Sequence, residues 1–139
     1  MHHLQRRPRV IGIPERLLHR ERNGLSAMGT VDARFKPLRA HIAVEELARI
    51  AYLEKNLEKP LRNFSSGMKQ RLKLALAIFS DTPLLLLDEP ASNLDAQGIA
   101  WFRDLLVKHL DQRTLLVASN RQAEETFACT AVIEVEGFK

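Results

Sequence analysis

Four consecutive leucines, Leu84–Leu87, followed by Asp88, Glu89 and Pro90, constrain this chain more than any other stretch. The run has no period-2 alternation. It is short and continuous, and turn signals bound it, Asp81-Thr82-Pro83 before and Pro90 after. Such a run reads as a strand buried on both faces, as in a parallel sheet covered by helices. The two acids stand where the strand ends, and in open α/β sheets ligands bind at the carboxyl ends of strands. Adjacent carboxylates repel unless a cation or a proton lies between them. Phosphate-bound Mg²⁺ fits, because that ion takes one or two carboxylates plus phosphate oxygens. Without a ligand, the same residues are a buried strand ending in a solvated acidic turn.

The periodicity on either side supplies the other elements. Val44, Leu47, Ala48, Ala51 and Tyr52 recur at helical spacing and predict a helix reaching about Lys55. Residues 55–64 read as a loop containing Pro60. Ser65 is a good N-cap for an amphipathic helix whose stripe is Met68, Leu72, Ala75, Leu76 and Phe79. Lys69 and Arg71 run against the helix dipole, so this N-terminus is unusually electropositive. Free N–H groups, two hydroxyls, a glycine and nearby cations make an anion site, or else simply a capped helix. After the leucine strand, Ala91–Asp95 forms a polar loop ending in a second N-cap. A helix from about Ala96 to Leu110 is expected to bury Ile99, Phe102, Leu105, Leu106 and Leu110. Thr114–Ala118 reads as a second buried strand with Ser119 and Asn120 at its carboxyl end. A short helix over about Gln122–Ala128 and a closing strand, Ala131–Val135, complete a series implying right-handed crossovers and a parallel sheet.

Composition narrows the class. The 139 residues allow one modest domain, and 45% hydrophobic with 27% charged residues fits a globular, soluble chain. No apolar run approaches the roughly 18–20 residues of a membrane span, and the first residues lack the apolar core of a secretory signal. The single Cys129 excludes an internal disulfide, and a cytosolic location is the default. Residues 1–40 hold nine Arg/Lys against three Asp/Glu, whereas 41–139 hold twelve against fourteen. The basic balance therefore belongs to residues 1–34, read as a poorly ordered leader with a possible strand at Val10–Ile13 and a short helix over Glu15–Arg22. A basic arm can bind nucleic acid or an anionic membrane, but an unstructured leader is the simpler reading. Gly24–Gly29 has the spacing of a phosphate loop, yet no Lys follows the second glycine, so we take it as coincidence. Trp101 is expected on the outer helix surface, His109 on a helix face, and Cys129 as a small buried apolar group.

Phe64-Ser65-Ser66-Gly67-Met68-Lys69-Gln70-Arg71, then the strand with Asp88-Glu89, then Ser92-Asn93-Leu94-Asp95 closely resembles the ATP-binding subunits of ABC transporters. The resemblance runs from about Phe35 or His41 to Lys139. It implies an α/β, partial P-loop NTPase-like domain: a parallel sheet remnant with flanking helices and part of the helical subdomain. Residues 35–139 would be its C-terminal part, with the helical subdomain over about 41–80 and the rest over about 81–139. Phe64–Met68 resembles the signature loop, Leu-Ser-Gly-Gly-Gln in the family, with Ser66 and Met68 as variants similar to the exporter and cytochrome-maturation branch. By that resemblance Ser65, Ser66, Gly67 and Met68 contact the γ-phosphate of ATP held by the opposite subunit. Leu84–Asp88 resembles the Walker B strand, with Asp88 positioning Mg²⁺ through water and Glu89 as general base. Ser92–Asp95 resembles the D-loop, which gives Asp95 an interface role. Asn120 stands where the family has a switch histidine; it can hydrogen-bond phosphate but cannot titrate.

No Gly-x₄-Gly-Lys-Ser/Thr occurs in the chain, and only 64 residues precede Ser65. The resemblance therefore implies a C-terminal fragment with a foreign leader, an open apolar sheet edge, and an ABC-type ATPase that is inactive by itself. The implied partners are a second ABC ATPase subunit and transmembrane permease subunits, at the cytoplasmic face of a membrane. One alternative is a catalytically dead fragment that acts only as an interaction module with a complete ABC ATPase. Another is a soluble ABC-type protein acting on DNA or ribosomes, although long heptad runs and two cassettes are missing. Nucleic acid is not expected as a partner.

Overall fold

The leucine strand is β1, Leu84–Asp88, and it pairs in parallel with β2, Thr114–Ala118, in the register Leu84 to Thr114 through Asp88 to Ala118. The computed structural model describes residues 38, 39, 42–120 and 123–135. The readings of residues 1–34, namely the leader, the strand at 10–13, the helix at 15–22 and the glycine pair at 24–29, lie outside the described residues. Among the described residues four α-helices accompany the strands: α1 (Val44–Ile50), α2 (Ser66–Ile78), α3 (Ala96–His109) and α4 (Ala123–Thr126). Short 3₁₀ turns at Glu54–Asn56 and Leu61–Asn63 fill the expected loop. The order β1–α3–β2 is a parallel crossover unit, which places helices against the sheet.

α2 lies at the centre of the core. Leu72 and every residue from Leu74 to Ile78 are buried, so its C-terminal half is enclosed on all sides while its first turns stay partly open. A helix apolar all round is a core helix. Phe102 and Leu106 of α3, Leu85 and Leu87 of β1, and Leu47 and Ala48 of α1 pack around it.

α1 stops earlier than its periodicity predicts. Tyr52 adopts φ 59°, and Leu53 N–H donates to Ala48 O (2.7 Å) while Tyr52 N–H donates to Arg49 O (3.0 Å). This pair of bonds is a Schellman cap, with tyrosine where glycine is usual. Side chains from two other helices satisfy carbonyls at this end: Trp101 Nε1 donates to Ile50 O (2.8 Å) and Arg71 Nε to Ala51 O (3.1 Å). The terminal carbonyls of a helix need such partners when they lie inside a protein. Trp101 is therefore no outer-surface residue. It is 9% exposed and joins α3 to α1.

Three further expectations are corrected. β1 and β2 are not buried on both faces: Leu85 and Leu87 face the helices, whereas Leu84 is exposed and Leu116 of β2 is 55% exposed. Among the described residues the helical core packs on one side of this two-stranded sheet, leaving alternate side chains open. Residues 131–135 form no closing strand. They pair with no other strand among the described residues, and Ile133 is 73% exposed, so a mostly apolar run alone did not make a ladder. In α3, Ile99 and Leu110 are only half-buried, whereas Gly98 and Trp101 join Phe102, Leu105 and Leu106 inside.

At the far end of α3, Arg39 Nη2 (3.1 Å) and Arg113 Nη2 both donate to His109 O, and Arg39 pairs with Asp111 at 2.8 Å. The His109 ring lies on Phe79, 4.6 Å between centroids, as a helix-face residue. Cys129 is a free, half-buried thiol. No described helix is long and apolar enough to cross a membrane.

Candidate functional site

Two loops and one helix N-terminus meet at the carboxyl end of the sheet. Ser65 holds extended backbone angles, φ −63° and ψ 163°, and its Oγ accepts the Met68 N–H at 3.2 Å, so the cap forms as the sequence predicts. Ser65 and Ser66 are exposed, and Gly67 and Met68 are half-buried. The first turn of α2 carries no acidic side chain. Its N–H groups and positive dipole end therefore face outward with no internal anion. Met68 packs its side chain against the core.

The loop after β1 is fastened to this turn. Gln70 Nε2 donates to Pro90 O at 3.0 Å. A Cβ added at Gly67 would stand 3.1 Å from Asn93 O, closer than ordinary contact, so the absence of a side chain here lets the two backbones approach closely. Asn93 itself has φ 61°. Asp95 caps α3, its Oδ1 accepting the Gly98 N–H at 2.7 Å. The residue marked for an interface role is thus exposed but already engaged as a helix cap.

Asp88 is the last residue of β1 and is half-buried. Glu89 follows in the left-handed region, φ 46°, which is costly for a residue with a Cβ and tends to persist where a site demands it. Its N–H donates to Ala118 O (2.8 Å), the rung that closes the β1–β2 ladder. The backbone reversal sends the carboxylate toward β2, where Asn120 Nδ2 donates to Glu89 Oε1 at 2.8 Å. The two residues marked as a catalytic pair are therefore in direct contact. Among the described residues no cluster of three His, Cys, Asp or Glu side chains stands ready for a metal.

Sequence reasoning missed two residues here. Gln70 sits between the apolar positions Met68 and Leu72, and nothing in its spacing marks it as a link to Pro90. Glu125 is 1% exposed, with Oε1 accepting the Ala91 N–H at 3.0 Å and Oε2 accepting the Ser119 hydroxyl. Its neighbour Glu124 is exposed. The pair Glu124-Glu125 gives no sign of which acid turns inward.

Comparison with known proteins places the chain in a family. A family model described as ABC transporter matches residues 5–92, a stretch that takes in most of the segment read as a leader. The uncharacterized ABC transporter ATP-binding protein YcbN of Bacillus subtilis is 41% identical over 85 residues, covering 59% of this chain and 27% of that protein. The mRNA export factor elf1 of Schizosaccharomyces pombe is 33% identical over 97 residues, 70% of this chain but 9% of its own length. The chain thus spans a small part of the curated relatives it matches. A bacterial Atm1-family ABC exporter with ATP bound superposes with a TM-score of 0.56 at 18% identity, over 73% of this chain and 19% of that one. At that identity the likeness concerns the fold alone, an α/β domain with a parallel sheet and flanking helices.

Proposed function

Because the chain belongs to the ABC transporter family, we propose that it contributes one side of a two-subunit ATP-binding interface completed by a second ABC ATP-binding subunit, its signature turn and its acidic pair each serving a different half of that interface. Ser65–Met68 act as the signature turn, Leu84–Asp88 as the Walker B strand and Ser92–Asp95 as the D-loop. Residues 41–80 serve as helical subdomain and 81–139 as the sheet-bearing part. The observation that carries this reading is the fastening of an anion-ready helix N-terminus to the acid-bearing end of β1, through Gln70–Pro90 and the Gly67–Asn93 approach.

The residues fit the ligand. The turn offers exposed hydroxyls and N–H groups to a γ-phosphate held by the opposite subunit. Asp88 and Glu89 are too few to hold a metal alone, but they suit Mg²⁺ that arrives with phosphate oxygens, Asp88 through water. When bound, Mg²⁺ supplies charge neutralisation on the phosphates. Glu89 orients and deprotonates the attacking water, and Asn120 holds the Glu89 carboxylate in place through its amide. Asn120 cannot carry charge, so it leaves the phosphate without the cationic hydrogen bond a histidine would give. Transmembrane permease subunits, on the cytoplasmic side of a membrane, are the partners this assembly would serve.

A paired measurement tests the reading. Calorimetric titration of the chain alone should show no ATP binding at micromolar nucleotide, since no Gly-x₄-Gly-Lys-Ser/Thr is present. With a complete ABC ATP-binding subunit encoded by the same genome, ATP and Mg²⁺ should drive association in sedimentation, and Ser65→Ala should weaken it. Tight ATP binding by the chain alone would refute the proposal. Association without nucleotide and without activity would select the interaction-module reading instead.

A further inference from the structure

Glu125 is the most deeply buried acid among the described residues, and neither the Arg39–Asp111 nor the Lys108–Asp104 ion pair involves it. A carboxylate held inside a protein is costly unless its oxygens are bonded. Here both are, and the partners belong to different loops. Ala91 lies two residues past Glu89, and Ser119 lies immediately before Asn120. The ladder that keeps β1 and β2 in register ends at the Glu89 N–H to Ala118 O bond. Beyond that rung Glu89 turns into the left-handed region, and Pro90 has no N–H to give. From there the ladder no longer joins the two loops. Among the contacts that do are the exposed Asn120–Glu89 bond and the buried Glu125 carboxylate behind it. A lone exposed amide–carboxylate bond competes with water and is weak. In the bridge the Ala91–Glu125 bond is buried and has no such competitor, and the Ser119–Glu125 bond beside it is half-buried.

We propose that Glu125 is the positioning residue of this site: by accepting from Ala91 and Ser119 at once, it sets the spacing of the two loops and so brings Asn120 onto Glu89. Its relevance to catalysis rests on the proposed ATPase reading, whereas the placement itself does not, so the test needs no nucleotide.

The experiment is nuclear magnetic resonance of the Asn120 side-chain amide in the full chain, assigned by its loss in Asn120→Asp. Glu89→Ala supplies the reference shift for the unbonded amide. Glu125→Ala should move the Asn120 amide signals to that reference while the Phe102 and Leu85 core signals persist. Glu125→Gln, which can accept from Ala91 and donate to Ser119 Oγ, should restore the wild-type position. A bridge that only stabilises would lower the melting temperature in Glu125→Ala and leave the Asn120 signals in place, and that result would overturn the proposal. Should Glu125→Ala fail to fold, Ser119→Ala removes one of the two bonds. It should shift the Asn120 signals part of the way to the reference, and wild-type signals there would equally overturn the proposal. Failure of nucleotide-driven association with these shifts as expected would count against the ATPase reading and leave the positioning role standing.

Discussion

Replacing Trp101 by phenylalanine separates the reading of the sequence from the fold. On an outer helix surface the change would be felt by less than about 0.5 kcal/mol. In the fold the indole is 9% exposed and its Nε1–H meets Ile50 O at 2.8 Å. Phenylalanine keeps most of the apolar burial but has no donor. The Ile50 carbonyl, at the last turn of α1, then loses its partner in a half-buried setting. Leaving a buried acceptor unpaired costs about 1–3 kcal/mol. Partial access of water to this end favours the lower half of that range, so we expect about 1–2 kcal/mol. For a chain of 139 residues this lowers the melting temperature by about 3–6 °C. The assay is urea and thermal denaturation followed by far-ultraviolet circular dichroism, because the only tryptophan is removed. Trp101→Ala, which also empties the space between α3 and α1, should cost about 3–5 kcal/mol. A Trp101→Phe protein within about 0.5 kcal/mol of wild type would refute the hydrogen bond and the docking of α1 on α3.

Other expectations follow from the same geometry. Burial holds His109 below its ordinary value of 6.5, with Arg39, Lys108 and Arg113 adding to the effect and Asp111 opposing it. The unfolded chain then takes up the proton first, so stability is complete above pH 6.5 and falls as the pH drops toward the lowered folded value. Urea midpoints between pH 7.5 and 5 should show this loss, and His109→Gln should flatten it. Gly67→Ala gains helix propensity of up to about 1 kcal/mol but forces Asn93 O away. Stability should stay within about 1 kcal/mol while the amide signals of Asn93 and Leu94 shift, and unmoved signals would contradict the close approach. Asn120→His should leave folding intact and raise turnover in the completed enzyme, measured by phosphate release; an unchanged or lower rate would count against the reading of Asn120.

Local signals carried much of this fold. Ser65 and Asp95 cap the helices they were expected to cap, because a side-chain oxygen serving the N–H three residues on is a local event. Leu84–Leu87 and Thr114–Ala118 are strands in parallel, as their apolar runs between turn signals indicate. What stayed hidden depends on distant partners. Trp101 turns inward because an α1 carbonyl 51 positions away needs a donor. Glu125 turns inward because Ala91 and Ser119 converge on it. Ala131–Val135 has the pattern of a strand, but a strand also needs a neighbour, and pattern alone cannot supply one. The early end of α1 lies in the φ of Tyr52, a residue whose type gives no warning of a left-handed cap. Within the site, the motifs marked the residues, while the contacts joining them, Gln70 to Pro90 and Asn120 to Glu89, came only from the fold.

The most direct measurement of the central claim is hydrogen–deuterium exchange of the full chain mixed with a complete ABC ATP-binding subunit, with and without ATP and Mg²⁺. If one face receives nucleotide from the opposite subunit, amides of Ser65–Met68 and Ser92–Asp95 should gain protection together, and only when nucleotide is present. Protection confined to one of these segments, or appearing instead on the outer surface of α3, would contradict the account.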